Sequence, residues 1–174
     1  MNKLLSALVA TIALTTTQAS AQEVADMSDL EFAHIAYTAD NIDIRYAHLA
    51  LALSEDPKIH EFANTMIRDH TAVNAAALEL LDELGASAQD NAVSQTLNTN
   101  AEEIINKLSE LRGAEFDAAY AANELAYHQA VNELVETTMI PNIDNAEVKA
   151  LFQQGLEIFK AHEGHAEGMV ASLN

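Results

Sequence analysis

Apolar residues recur along most of this chain at the three- and four-residue spacing of a helix, and no stretch alternates as a strand does. The first stripe is Phe32, Ile35, Ala36, Ala39, Ile42, Tyr46, Leu49, Ala50 and Leu53. Ser28-Asp29-Leu30-Glu31 ahead of it has the form of a capping box, so a helix is expected to start near Asp29. Asp56-Pro57, a capping residue followed by proline at the first helical position, starts a second. Its stripe is Ile59, Phe62, Ala63, Met66, Val73, Ala77, Leu80, Leu81 and Leu84, and Gly85 is expected to end it. Residues 86–98 are polar and carry no strong period. Thr99 or Asn100 is expected to cap a short helix through Leu111, with Gly113 stopping it. A third long helix is predicted from Ala114 to Thr138, with Phe116, Tyr120, Tyr127, Val131, Leu134 and Val135 inward and Pro141 closing it. Asp144 or Asn145 caps a fourth, Ala146 to Ser172, whose stripe is Val148, Leu151, Phe152, Ile158, Phe159, Ala166 and Met169.

Two long helical hairpins joined by a crossover with one short helix make an all-α, ferritin-like four-helix bundle. An up-down bundle stays open as an alternative, since about 28 connecting residues can span a helix of roughly 42 Å in either direction.

Each long helix carries a polar side chain where its stripe should be apolar. Asp43 lies between Ala39 and Tyr46 on the first, and His70 between Met66 and Val73 on the second. His128 is on the third, with Glu124 one turn before it, and His162 is on the fourth between Phe159 and Met169. Folding the first hairpin at residues 55–57 puts Asp43 and His70 about equally far from the bend, so they face each other. Folding the second near residue 143 sets Glu124 level with His162, and His128 roughly 6 Å away along the axis. The relative height of the two hairpins does not follow from the sequence. Imidazole nitrogen and carboxylate oxygen together suit a borderline divalent ion such as Zn, Fe, Mn, Ni or Cu(II). A buried carboxylate with no partner costs several kcal/mol or protonates. Asp43, His70, Glu124, His128 and His162 are therefore the candidate metal ligands, and Fe, Zn, Cu or Mn the candidate ions. An inter-helix Asp–His hydrogen bond would satisfy both groups without a metal.

Other groups carry less. Asp69 reads as a solvent-facing group or a support for His70, and Asp117 as a helix cap or a support. His162 and His165 form an i, i+3 pair, and Met66 and Met169 could offer thioether sulfur, but core packing explains both methionines. Glu31-Phe-Ala-His34 has the Glu-x-x-His form of di-iron bundles, yet Glu31 is taken by its capping box and no second copy exists. His34, His48 and His60 fall outside the stripes and are expected at the surface. No nucleophile elbow or phosphate loop is present, so no catalytic residue is assigned.

The N-terminus changes the picture of where the fold begins. Lys3, the apolar run Leu4 to Leu14 and Ala19-Ser20-Ala21 have the form of a secretory signal cleaved after Ala21. Residues 1–21 are read as that signal, 22–28 as a tail and 29–174 as the domain, exported to the periplasm. The run is too short to span a bilayer, and with no Cys there are neither disulfides nor thiolate ligands. Without Lys3, 7 basic face 27 acidic side chains, a net charge of −20. Such a field repels nucleic acid and anionic membranes and attracts cations. The partner expected is a metal ion, with no nucleic acid, no membrane insertion after cleavage, and no protein partner that the sequence specifies.

The segments FANTMIRDHTAVNAAALELLDELG, LSELRGAEFDAAYAANELAYHQAVNELVE and ALFQQGLEIFKAHEGHAEGM resemble the exported ferritin-like proteins grouped as domain-of-unknown-function family 4142. The resemblance rests on Phe62 through His70, Gly113 through Tyr120 with His128, and His162. It implies a ferritin-like bundle in the cell envelope and no agreed activity. Two departures accompany it: Asp43 stands where the family usually has Glu, and Leu156-Glu157 where it usually has Leu-Pro. The expected function is metal binding in envelope stress or metal handling. The alternative is a non-catalytic envelope protein whose His–carboxylate cluster satisfies itself.

Overall fold

The computed structural model describes residue 24 and residues 26–173; the predicted signal segment lies outside them. Among the described residues every regular element is helical. Four long helices form the bundle: α1 (Asp29–Leu53), α2 (Pro57–Glu83), α4 (Gly113–Leu134) and α5 (Ala146–Leu173), with α3 (Ala92–Ser109) in the connection between α2 and α4. None of them is long and apolar enough to cross a membrane.

The punctuation read from the sequence acts as expected at most ends. Ser28 and Glu31 bond reciprocally as a capping box, and Asp56 accepts from Lys58 N–H ahead of Pro57. Gly85 has φ +60°; its N–H bonds Asp82 O while Ala86 N–H reaches Leu81 O, the paired bonds that close a helix on a left-handed glycine. Asn145 caps α5, accepting from Glu147 and Val148 N–H.

Three expectations need correction. The crossover helix starts at Ala92, well before Thr99, because the Asn91 side chain accepts from Val93 and Ser94 N–H and the Ser94 hydroxyl lies back against Asn91 N–H. Gly113, with φ +56°, opens α4, and the crossover helix has already ended at Ser109. The third long helix does not run evenly to Thr138: after Leu134 it widens into a π turn, Val135–Met139, followed by the short helical piece Ile140–Asn142. Ile140 N–H reaches back five residues to Val135 O. The cause lies one position on, where Pro141 has no N–H to give Thr137 and its ring would crowd that carbonyl.

The direction of each helix follows from contacts at the ends. Asn91 Nδ2 donates to Glu31 O, and Arg45 pairs with Glu102 at 2.6 Å, so α3 climbs beside α1 from its start to its end. Ser54, the C-cap of α1, donates through its hydroxyl to Asp117 in the first turns of α4. Asp29, at the start of α1, accepts from Asp144 and Asn145 N–H in the turn before α5. The order is therefore up, down, down, up, with α3 carrying the chain back along the bundle. This excludes the up-down alternative.

Two apolar clusters fill the interior. One holds Tyr46, Phe62, Met66, Phe116, Tyr120 and Met169; the other holds Phe32, Ile35, Val135, Met139, Ile143 and Leu156. The polar positions of the four stripes meet at mid-height.

Candidate metal centre

Asp43, His70, Glu124, His128 and His162 are all buried, at 0 to 4% exposure. They form two groups that share one residue. His70, His128 and His162 each bring a ligand atom within 4.8 Å of the others, and so do Asp43, Glu124 and His128. Glu124 groups with Asp43 across the bundle, and the residue that joins His162 is His128, one turn from the level expected by counting from residue 143. That count placed the non-helical connection 143–145 wholly on the α5 side of the fold point.

Each imidazole is held through one nitrogen by an oxygen that can only accept. His70 Nδ1–H donates to Asp40 Oδ1 at 2.8 Å, His128 Nδ1–H to the Glu124 carbonyl at 2.9 Å, and His162 Nε2–H to Asp69 Oδ2 at 3.0 Å. Those bonds fix the protonated nitrogen of each ring. The other three nitrogens, His70 Nε2, His128 Nε2 and His162 Nδ1, are buried and have no hydrogen-bond partner. Both oxygens of Asp43 and both of Glu124 are in the same condition. His70 Nε2 lies 2.8 Å from Asp43 Oδ2, yet out of line for a hydrogen bond. Donor atoms from four helices that converge on one region are the arrangement a shared cation requires, since ligands on one ion sit edge to edge. The second bond on each ring orients it, as supporting groups do around metal-bound histidines. Phe159 stacks on His70 with centroids 4.6 Å apart and planes at 10°, fixing that ring's tilt.

The electrostatics divide the groups. Burial opposes charge on His70, but Asp43 and Asp40 on either side override it and raise its pKa to about 10. Burial also works against charge on Asp43, and the facing His70 imidazolium outweighs it, holding that carboxyl below its usual range. Glu124 goes the other way: burial, then the neighbouring Asp43 charge, pushes its pKa well up, so it keeps a proton. Of two buried carboxylates at one site, one ionises and the other does not. Burial lowers the pKa of His128, and lowers that of His162 to about 4, so both are neutral and able to ligate.

Asp40 escaped the sequence reading. It is three residues before Asp43 and 4% exposed. A single inward stripe on α1 excludes it, but α1 packs against α2, α3 and α4, which buries a wider arc of the helix. The i, i+3 pair Asp40–Asp43 was the available signal. Asp69, half-buried, bonds both Arg68 and His162 and so supports the site from its edge. Asp117 belongs to the α1–α4 end contact. His165 points outward, and Met66 and Met169 are core residues.

The family model named Domain of unknown function (DUF4142) matches residues 13–169. The chain belongs to that family. No curated protein and no solved structure matches it. What is established is an all-helical DUF4142 domain with a buried His/carboxylate group that could hold a metal ion.

Proposed function

We propose that this DUF4142 protein is an exported, periplasmic, ferritin-like bundle that binds one divalent transition-metal ion through His70, His128, His162, Asp43 and Glu124. The observation that carries the proposal is the convergence of three buried imidazole nitrogens that make no hydrogen bond: His128 Nε2 and His162 Nδ1 on neutral rings, and His70 Nε2, which ligates once an ion displaces its proton. The up-down-down-up order with one crossover supports the ferritin-like reading. A single ion fits better than a pair, because the two groups share His128, whose Nδ1 is committed to the Glu124 carbonyl and whose one remaining nitrogen serves one ion. Three nitrogens and two carboxylate oxygens favour Fe, Mn, Zn or Cu(II) over Mg or Ca, which take all-oxygen shells. The role that follows is metal handling or protection of the envelope.

Metal analysis of untagged protein purified from the periplasm tests this. About one ion per chain is expected, abolished by His70→Ala or His128→Ala, with an N-terminus at Gln22. Protein that carries no metal, takes up none of the four ions, and gains no thermal stability from them sinks the proposal. One observation favours a second reading: His70, charged between Asp40 and Asp43, already compensates much of the buried negative charge. On that reading the cluster is metal-free and structural, and the same measurement separates the two.

A further inference from the structure

Between α1, α2 and α5 lies a cavity that none of the five donor residues lines. Its volume is about 50 Å³. One water needs roughly 10–15 Å³ of such space, so several would fit. Val73, Leu80, Leu151 and Phe152 line it and are only half-buried, so the cavity opens to solvent on that side. Gly155 of α5 lines it too, and the missing side chain leaves the gap between Val73 and Phe159 open. A Cβ there would stand 3.6 Å from Phe159 Cε2 and 3.9 Å from Val73 Cγ1, both ordinary contacts. Packing therefore does not demand glycine at this position, although glycine inside a helix is less stable than alanine.

One polar side chain on the cavity wall has no partner. Asn74 is 7% exposed, its Oδ1 is buried without a hydrogen bond, and its Nδ2 makes none either. A buried carboxamide left unbonded is costly. Held by nothing, it can turn about χ2 and present oxygen or nitrogen to the cavity. Asn74 is one turn beyond His70 on the same face of α2. Two further lining residues hold the His70 ring. Asp40 accepts from its Nδ1 at 2.8 Å, and Phe159 stacks on it with centroids 4.6 Å apart. The cavity and the metal centre thus share a wall.

We propose that this cavity binds a small neutral molecule with an apolar ring and one hydroxyl, a phenol in chemical class, with the ring beside Gly155 and the hydroxyl on the Asn74 carboxamide. Mostly apolar walls with a few placed polar groups are how sites for small organic molecules are built. A hydroxyl both donates and accepts, so it can meet either end of the carboxamide. Asp40 and His70 already pair with each other, so the inner end calls for no further charge, and a carboxylate there would face Asp40. A purely apolar molecule of the same size leaves Asn74 unbonded. Occupancy of this cavity does not depend on an ion behind the shared wall.

Titration of the metal-free mature protein with phenol, followed by NMR, tests this. Saturable shifts are expected at the Asn74 side-chain amide, the Gly155 amide, the Val73 methyls and the His70 ring, and benzoate is expected to give none. Asn74→Leu, close in volume, should weaken phenol about tenfold and leave toluene binding as it was. Gly155→Leu fills the gap and should abolish binding of both. Gly155→Ala, whose Cβ fits in ordinary contact, keeps the fold and should weaken both. Phenol that gives no saturable shifts, or shifts that leave out Asn74 and Gly155, overturns the proposal. An equal loss of phenol and toluene in Asn74→Leu overturns the seat of the hydroxyl, and an unmoved His70 ring overturns the shared wall. Every measurement is made without metal, so failure of the metal-binding proposal leaves these outcomes readable.

Discussion

His70 has a carboxylate at each nitrogen, Asp40 bonded to Nδ1 and Asp43 close to Nε2 but out of line. The two acids therefore have different roles, and substitution separates them. Asp43→Asn removes a donor, whereas Asp40→Asn leaves the donors in place and loosens the ring. Isothermal titration is expected to show affinity falling about 10- to 100-fold in Asp40→Asn, with circular dichroism unchanged. Unchanged affinity would mean that Asp40 only neutralises charge. The pH dependence has a definite sign in the metal-free protein. His70 titrates at about 10 when folded against an ordinary 6.5, so its stabilising contribution is complete below pH 6.5 and is lost as pH rises through 10. Glu124, kept protonated by burial and by Asp43, acts in the same direction. Urea unfolding of the metal-free protein should thus give lower stability at pH 9.5 than at pH 6. Saturating metal should remove or reverse that slope, because the ion takes the deprotonated ligands.

At the scale of elements, short-range chemistry was legible and medium-range geometry was not. The caps at Ser28, Asp56 and Asn145 are local side chain–backbone bonds, and the residues that make them stand beside the N–H groups they satisfy. The start of α3 is equally local, yet the polar run of residues 86–98 hid it, since Asn91 and Ser94 read as loop residues as readily as cap residues. Asn91→Ala is expected to cost about 0.5–2 kcal/mol in chemical denaturation while metal affinity stays put, because α3 packs outside the four helices that carry the donors. A loss of metal binding in that variant would show that α3 positions the site. The π turn at Val135–Met139 had a sequence cue in Pro141, but proline in a last turn ends a helix in one case and widens it in another. Val135 and Met139 are buried in the apolar cluster with Phe32 and Ile35, a contact between helices that the sequence cue does not contain.

Across the whole molecule, the site is an exception made in the middle of a well-filled core. In the metal-free protein Glu124 keeps its proton, so Asp43 is the charged member of the two and the His70 imidazolium faces it. Removing one partner of a buried ion pair is destabilising. Asp43→Asn/Glu124→Gln is therefore expected to lower the stability of the metal-free protein in chemical denaturation at about pH 6 and to abolish tight metal binding. A double variant as stable as wild type without metal would show that the Asp43–His70 pair does not hold the bundle together. Wild-type protein should gain about 2.7 kcal/mol of unfolding free energy when free metal stands at a hundred times its dissociation constant. The formal net charge of −19 adds self-repulsion that salt relieves, so the metal effect should be measured at fixed ionic strength.

The helices, most of their ends and the inward position of Asp43, His70, Glu124, His128 and His162 came from the sequence alone, because helical period and capping are interactions between residues a few positions apart. The height of one hairpin against the other, the up-down-down-up order, the burial of Asp40 and the grouping of Glu124 with Asp43 were decided only by the tertiary structure. Those features depend on how α1 lies among α2, α3 and α4, and no spacing along one helix encodes the position of another. The same reason hid which nitrogen of each imidazole faces the cluster: Asp40 and Asp69, on the partner helices, make that choice for His70 and His162.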